Sequence, residues 1–181
     1  MLTRNAVELS VVKVTTLQPG DLFVYVGSGG RFTAVVVENE EGHYFSWMRL
    51  TGDHSFFMED LGQGTRAYSH APKVLNVSLR WDKLQVQIDP ASVSLAADAL
   101  VGSLIIEDDV QIATAFKTRD DDDLDERFGV LVRNLDRQSM SASSAYMCAK
   151  WQLIYVPPGL PPEVVAEFSP TRSATVEPLR I

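Results

Sequence analysis

Leu75, Val77, Leu79 and Trp81 alternate with Asn76, Ser78 and Arg80, and after Asp82-Lys83 the alternation resumes as Leu84, Val86 and Ile88 against Gln85, Gln87 and Asp89. A helical stripe needs apolar residues three and four apart, so a sustained period of two demands β-strands with one apolar and one wet face. The two-residue connection further predicts that these strands form a hairpin.

The rest of the chain follows the same grammar. Residues 7–14 are rich in β-branched side chains and read as a first strand. Leu17-Gln18-Pro19-Gly20-Asp21 reads as a turn, with Pro19 presetting φ and Gly20 free to take a positive φ. Apolar runs at 22–26 and 32–37 flank Gly27-Ser28-Gly29-Gly30, a hairpin signal, and 43–50 continues the meander. Residues 51–71 hold Gly52, Gly62 and Gly64 with little periodicity and read as a long loop, with a short strand or one helical turn at 56–60. Asp89-Pro90 suits an N-cap followed by proline in the first helical position, which predicts a helix over 91–100 ended by Gly102. Strands at 104–106, 110–117 and 128–133 come next. Residues 144–156 read as the longest strand, with Ala145, Met147, Ala149, Trp151, Leu153 and Tyr155 opposite the wetter Tyr146, Cys148, Lys150 and Gln152.

About ten strands and one short helix predict an antiparallel barrel or sandwich spanning 1–156. Gly20-Asp21-Leu22-Phe23-Val24 also resembles Gly102-Ser103-Leu104-Ile105-Ile106, and each is followed by a turn and an alternating strand. That echo allows two small barrel-like halves, 1–89 and 90–156. Residues 157–181 hold six of the nine prolines and read as an extended or loosely docked tail.

A chain of 181 residues, 45% hydrophobic, can bury a core without a metal or disulfide staple. Its one cysteine, Cys148, excludes an internal disulfide and a cysteine-based zinc site. With no signal-like N-terminal run and no spanning apolar stretch, the expected setting is the cytoplasm, away from membranes. The net charge is −8, and half of it comes from six carboxylates and two arginines between Arg119 and Arg127. No basic stripe is left to neutralise phosphates, so nucleic-acid binding is disfavoured.

The acidic run 120–126 spaces Asp121, Asp123 and Asp125 like the first ligands of a calcium loop, but Glu126 stands where such a loop needs glycine. A charged hairpin tip that guards a strand edge is the better reading, and no metal or cofactor is expected. Gly27-Ser28-Gly29-Gly30 is followed by a strand rather than a helix N-terminus, so it is a turn and not a phosphate loop. His43, His54 and His70 match no ligand spacing. Asp53-His54-Ser55 holds the residue types of a catalytic triad, and Asp53 and His54 are the candidate catalytic pair if the chain is an enzyme. Cys148 has no activating neighbour in the sequence and reads as a small inert residue. Phe56, Phe57 and Met58, beside Tyr44, Phe45 and Trp47, form the candidate ligand or partner surface, because three consecutive large apolar residues cannot all face one core.

Residues 17–39, with Pro19-Gly20-Asp21-Leu22-Phe23-Val24, a glycine hairpin and Thr33-Ala34-Val35-Val36-Val37, resemble the opening hairpin of PemK-like toxin barrels. That resemblance implies a small barrel and ribonuclease activity on a basic face. The acidic balance of this chain runs against such a face. The leading expectation is therefore a non-enzymatic β module that binds a protein partner or forms a homodimer. The alternative is a small toxin-type hydrolase using Asp53 and His54.

Overall fold

The computed structural model describes residues 9–28, 30–37, 45–61, 70–95, 100–116, 127–140 and 145–170. Among them the chain is mainly β, in two sheets, with no helix of seven or more residues, no helix long and apolar enough to cross a membrane, and no closed barrel. The candidate calcium ligands Asp121, Asp123 and Asp125, together with His43 and Tyr44, lie outside the described residues.

The first six strands are β1 (Ser10–Lys13), β2 (Asp21–Gly27), β3 (Gly30–Val37), β4 (Phe45–Arg49), β5 (Phe57–Leu61) and β6 (Lys73–Arg80). They pair antiparallel in the order β1-β6-β2-β3-β4-β5. Both faces of this sheet are covered. On β3, Phe32, Ala34 and Val36 join one core, while Val35 and Val37 join another. That double burial explains why 32–37 is a nearly unbroken apolar run rather than an alternation.

After β7 (Leu84–Ile88) come β8 (Val93–Leu95), β9 (Leu104–Ile106), β10 (Val110–Phe116), β11 (Arg127–Leu131), β12 (Arg137–Ser139) and β13 (Tyr146–Cys148). Their order, β8-β13-β9-β10-β11-β12, repeats the pairing of the first six. The registers agree residue by residue. Leu22 faces Val35 as Leu104 faces Ile112, and Val36 faces Trp47 as Ala113 faces Gly129. Phe23 faces Asn76 as Ile105 faces Met147, and Val11 faces Leu75 as Leu95 faces Tyr146.

The turns repeat as well. Gly20, at φ 88°, sits in a turn closed by the Asp21 N–H on the Gln18 carbonyl at 2.9 Å. Gly102, at φ 94°, sits in one closed by the Ser103 N–H on the Leu100 carbonyl at 2.9 Å. Each glycine N–H then bonds the hairpin's far strand, Gly20 to Val36 and Gly102 to Ala113. A short parallel contact of β5 with β10 joins the two units into one sheet.

The main core lies between the units and a second sheet of three strands, β15 (Glu163–Phe168), β14 (Trp151–Tyr155) and β7. Two tryptophans tie it together. The Trp81 indole donates to the Val132 carbonyl at 2.6 Å, and the Trp151 indole donates to the Gly102 carbonyl at 2.7 Å.

Several expectations need correction. The alternating stretches at 75–81 and 84–88 are strands, but they form no hairpin: β6 pairs with β1 and β2, and β7 pairs with β14. A 3₁₀ turn at Trp81–Lys83 carries the chain from one sheet to the other, because Trp81 is buried and held by its backbone N–H on the Gly20 carbonyl. Of the span 91–100 expected to be a helix, the start is a 3₁₀ turn, Pro90–Ser92, followed directly by β8, and residues 96–99 lie outside the described residues. Asp89 does cap it, its carboxylate accepting from Ala91 N–H at 3.0 Å. Ser92 is then captured by the β13–β14 corner, where Lys150 N–H donates to its hydroxyl at 3.0 Å. Residues 144–156 do not form one strand, since the chain breaks between β13 and β14 to change sheets. At that corner Cys148 is fully buried rather than on a wet face, its thiol donating to the Lys150 carbonyl at 3.1 Å. Of the two expectations for the tail, extended or loosely docked, the first holds over Glu163–Phe168, where β15 pairs along β14. Of the two expectations for 56–60, the short strand is present as β5, paired with β4.

Candidate functional site

The outer face of the first unit carries aromatic residues at every second position of its middle strands: Phe23 and Tyr25 on β2, Phe32 on β3, Phe45 and Trp47 on β4. Direct pairing across strands puts these side chains on one face. Tyr25 and Phe32 stack at 5.0 Å between ring centroids, and Phe23 meets Phe32 edge-on at 6.5 Å and Trp47 edge-on at 6.2 Å. Pro72 just before β6, Val74 on β6 and Val14 from the 3₁₀ turn Val14–Thr16 close the far side, Val14 N–H bonding the Pro72 carbonyl at 3.0 Å. The half-open cavity measures 290 Å³. That is the lower end of the range for ligand pockets, roughly 300–1,000 Å³, and like them it is mostly apolar with a few converging polar groups.

Those polar groups are Arg49 and Glu59, with Ser28 at the hairpin end. Trp47 faces Glu59 across the β4–β5 pair, and Arg49, two residues further on, shares the face of Trp47. Glu59 is thereby held twice: one oxygen accepts the Trp47 indole N–H at 2.8 Å, and the other accepts the Arg49 Nη2. Arg49 Nη1 donates to the Asp53 carbonyl at 3.0 Å, and its guanidinium carbon lies 4.1 Å from the Phe32 ring centroid. Arg49 Nε, by contrast, is buried and has no acceptor among the described residues. A buried donor without a partner carries a desolvation penalty.

The sequence-derived candidates fall differently. Phe56 and Met58 are in the main core, each 1% exposed, so they offer no contact surface; Phe57 is half-buried. The three consecutive apolar residues are accommodated because Phe56, at φ 65°, turns its ring onto Trp151 and Phe168. Trp47 is 8% exposed, yet it belongs to the site as a cavity wall. Asp53 and His54 lie on the exposed β4–β5 turn, where the His54 ring packs edge-on against Phe57 at 5.5 Å. Neither residue lines the aromatic cavity. Among the described residues no three His, Cys, Asp or Glu side chains gather as a metal cluster. The site residues that sequence reasoning missed are Phe23, Tyr25, Phe32, Arg49 and Glu59. Their one signal was the alternation Phe23-x-Tyr25 and Trp47-x-Arg49 within runs that are apolar on both faces.

A second opening, of 360 Å³, lies beside β7, β14 and β15, rimmed by Asp89, Lys150, Gln152 and Glu167. Ile88, Trp151 and Phe168 also line it, but its polar share is larger than that of the aromatic cavity.

The fold and the cavity together define a class: a two-unit β module with an aromatic pocket on its first unit. No family model, curated protein or solved structure matches the chain.

Proposed function

We propose that this protein is a non-enzymatic β module that binds a protein partner by admitting one of its apolar side chains into the aromatic cavity. One observation carries the reading. Two units share a pairing scheme, yet the positions that build the cavity in the first carry no aromatic or charged side chain in the second: Trp47 corresponds to Gly129, Phe23 to Ile105 and Arg49 to Leu131. A wall of rigid aromatics around a small void is what an anchoring side chain needs. The first unit is thus the reader and the second a support. The protein works in a reducing compartment such as the cytoplasm, in keeping with a lone, buried thiol.

The test is a titration of the full chain with short uncharged peptides carrying a single phenylalanine or leucine, followed through the Trp47 indole N–H resonance. Saturable shifts are expected, and Tyr25→Ala, which removes a partly exposed wall, should weaken binding about tenfold or more while the protein stays folded. Hydrolysis of ester or phosphodiester substrates that is lost in His54→Ala would instead favour the enzyme reading.

Self-assembly is a second mode, favoured by an apolar row that ends at the free edge of β8. Leu95, Tyr146, Ile106 and Val110 are directly paired in succession, and Leu95 and Tyr146 are 70% and 55% exposed. We propose that this edge forms a homodimer.

A further inference from the structure

We infer that the first unit has a second docking surface, on the face opposite the cavity, which takes an extended acidic segment of a partner protein. Lys13 on β1 faces Lys73 on β6, and Val26 on β2 faces Arg31 on β3. The β2–β6 register, in which Val24 faces Leu75, brings Val26 level with Lys73. Lys13, Lys73, Val26 and Arg31 therefore form one row across four neighbouring strands, about 14 Å long at one strand spacing per step. They share the face whose inner end, Leu22 and Val35, packs in the main core, whereas the cavity is built on the other. All four are exposed, as is Val11, two residues from Lys13 on the same face.

Like charges directly opposite each other on paired strands are destabilising. Lys13 and Lys73 are so placed, in a chain of net charge −8 that has carboxylates to spare. Among the described residues, neither they nor Arg31 has an ion pair or a side-chain hydrogen bond. An anion laid along the row removes that repulsion. The corresponding turn of the second unit, between β9 and β10, carries Glu107, Asp108 and Asp109 instead, so the basic row is particular to the first. The three cations are far apart in sequence, and only strand pairing brings them together. Their occupant is protein rather than nucleic acid. The acidic balance of the whole chain repels a long polyanion, and three cations replace few of its counterions. A sugar–phosphate backbone also has nothing apolar to lay on Val11 and Val26, whereas a peptide can set aliphatic side chains among its carboxylates. In an extended segment alternate residues are about 6.6 Å apart, so three alternate glutamates span about 13 Å and match the row.

A terminally blocked pentapeptide, Glu-Leu-Glu-Val-Glu, tests this when titrated into the full chain while the Val11 and Val26 methyl resonances are followed. Saturable shifts are expected, with an affinity that falls as salt is raised. The same peptide with glutamine for glutamate should bind about tenfold more weakly or worse. Lys73→Glu should weaken binding of the acidic peptide about tenfold or more, and Lys73→Gln should weaken it in the same direction, each with an unchanged melting temperature. Lys83→Glu, on the turn before β7, and Tyr25→Ala, on the cavity face, should leave it unaltered. Absence of a saturable shift in the native chain, equal binding of the glutamine peptide, or full binding in the folded Lys73 variants overturns the inference. So does tighter binding of a single-stranded oligonucleotide of equal charge, which would make the row a phosphate site. Loss of the acidic peptide in Tyr25→Ala overturns it as well, by placing that peptide in the cavity. Failure of the uncharged peptides to enter the cavity leaves this surface standing, because the two lie on opposite faces of the sheet.

Discussion

Ser46 is one of the few buried polar side chains, and its hydroxyl donates to Asp60 Oδ1 at 2.5 Å across the β4–β5 pair. Asp60 is exposed along one side, but the protein packed around the rest of its carboxyl raises the pKa above 3.8, and the Ser46 bond and the Arg137 charge only partly offset this. The folded chain therefore holds this proton more tightly than the unfolded chain does. The resulting stability is fully present below pH 3.8 and is lost as pH rises through the folded value, so at neutral pH the ionised group is a small net liability. Asp60→Asn keeps an acceptor for Ser46 and removes the charge. Thermal melts should show it more stable than the native protein at pH 7 and no more stable at pH 3. An equal gain at both would mean that packing, not ionisation, is responsible. Arg49 is the opposite case at the same pair of strands, a charge kept buried because its counter-charge is built in beside it.

The equivalent turns of the two units give the sharpest prediction for single elements. A Cβ on Gly20 would meet nothing closer than the flexible end of Arg80 at 3.4 Å, so Gly20→Ala should cost only the positive-φ penalty, about 1–2 kcal/mol. A Cβ on Gly102 would come within 2.6 Å of both the Phe56 and Phe168 rings, adding an overpacking term of about 1–3 kcal/mol. Denaturant unfolding of the two variants should therefore rank Gly102→Ala clearly below Gly20→Ala; equal losses would show that the rings swing away. Both turns were legible as Gly20–Val24 and Gly102–Ile106 because a positive φ demands glycine and a hairpin demands apolar strands after it. The wider correspondence was not, because it lives in strand register, and side chains at matched places differ as much as Trp47 and Gly129 do. Alternation at 75–88 likewise reported strands faithfully but said nothing about whom they pair with. The Asp89-Pro90 signal reported a true cap, yet one turn of helix satisfies it as well as three. Ser92's bonds to the β13–β14 corner, distant in sequence, decided the length. The cavity stayed hidden for a related reason: a strand buried on both faces gives no alternation to separate a core wall from a pocket wall.

Among the described residues, the path of the long sheet ends at β1 and β8, which the pairing scheme makes equivalent, while a side branch through β11 ends at β12. Each shows a 70% exposed aliphatic at the matching place, Val11 on β1 and Leu95 on β8. Their surroundings differ. Next to Leu95 stand Tyr146, Ile106 and Val110, whereas the row from Val11 runs through Leu75 and Val24 to Thr33. Val93-Ser94-Leu95 is also self-complementary: antiparallel pairing with a second copy about Ser94 sets each Val93 against the other chain's Leu95 on the same face. A two-fold contact of this kind closes on itself and hides the most apolar edge. The proline-rich segment is not available to make the contact in its place as far as Phe168, since β15 already covers one side of β14 within the chain. The full chain is therefore expected to sediment as a dimer, and Leu95→Asp should release monomers, while Val11→Asp, at the matching edge, should leave the dimer intact. Binding of the uncharged phenylalanine peptide should be the same in monomer and dimer, because the cavity belongs to the first unit and the contact to the second. If Leu95→Asp leaves the sedimenting mass unchanged, β8 is not the interface. If the native chain is a monomer at high micromolar concentration, self-assembly is not among its functions, and the aromatic cavity alone must account for what the module does.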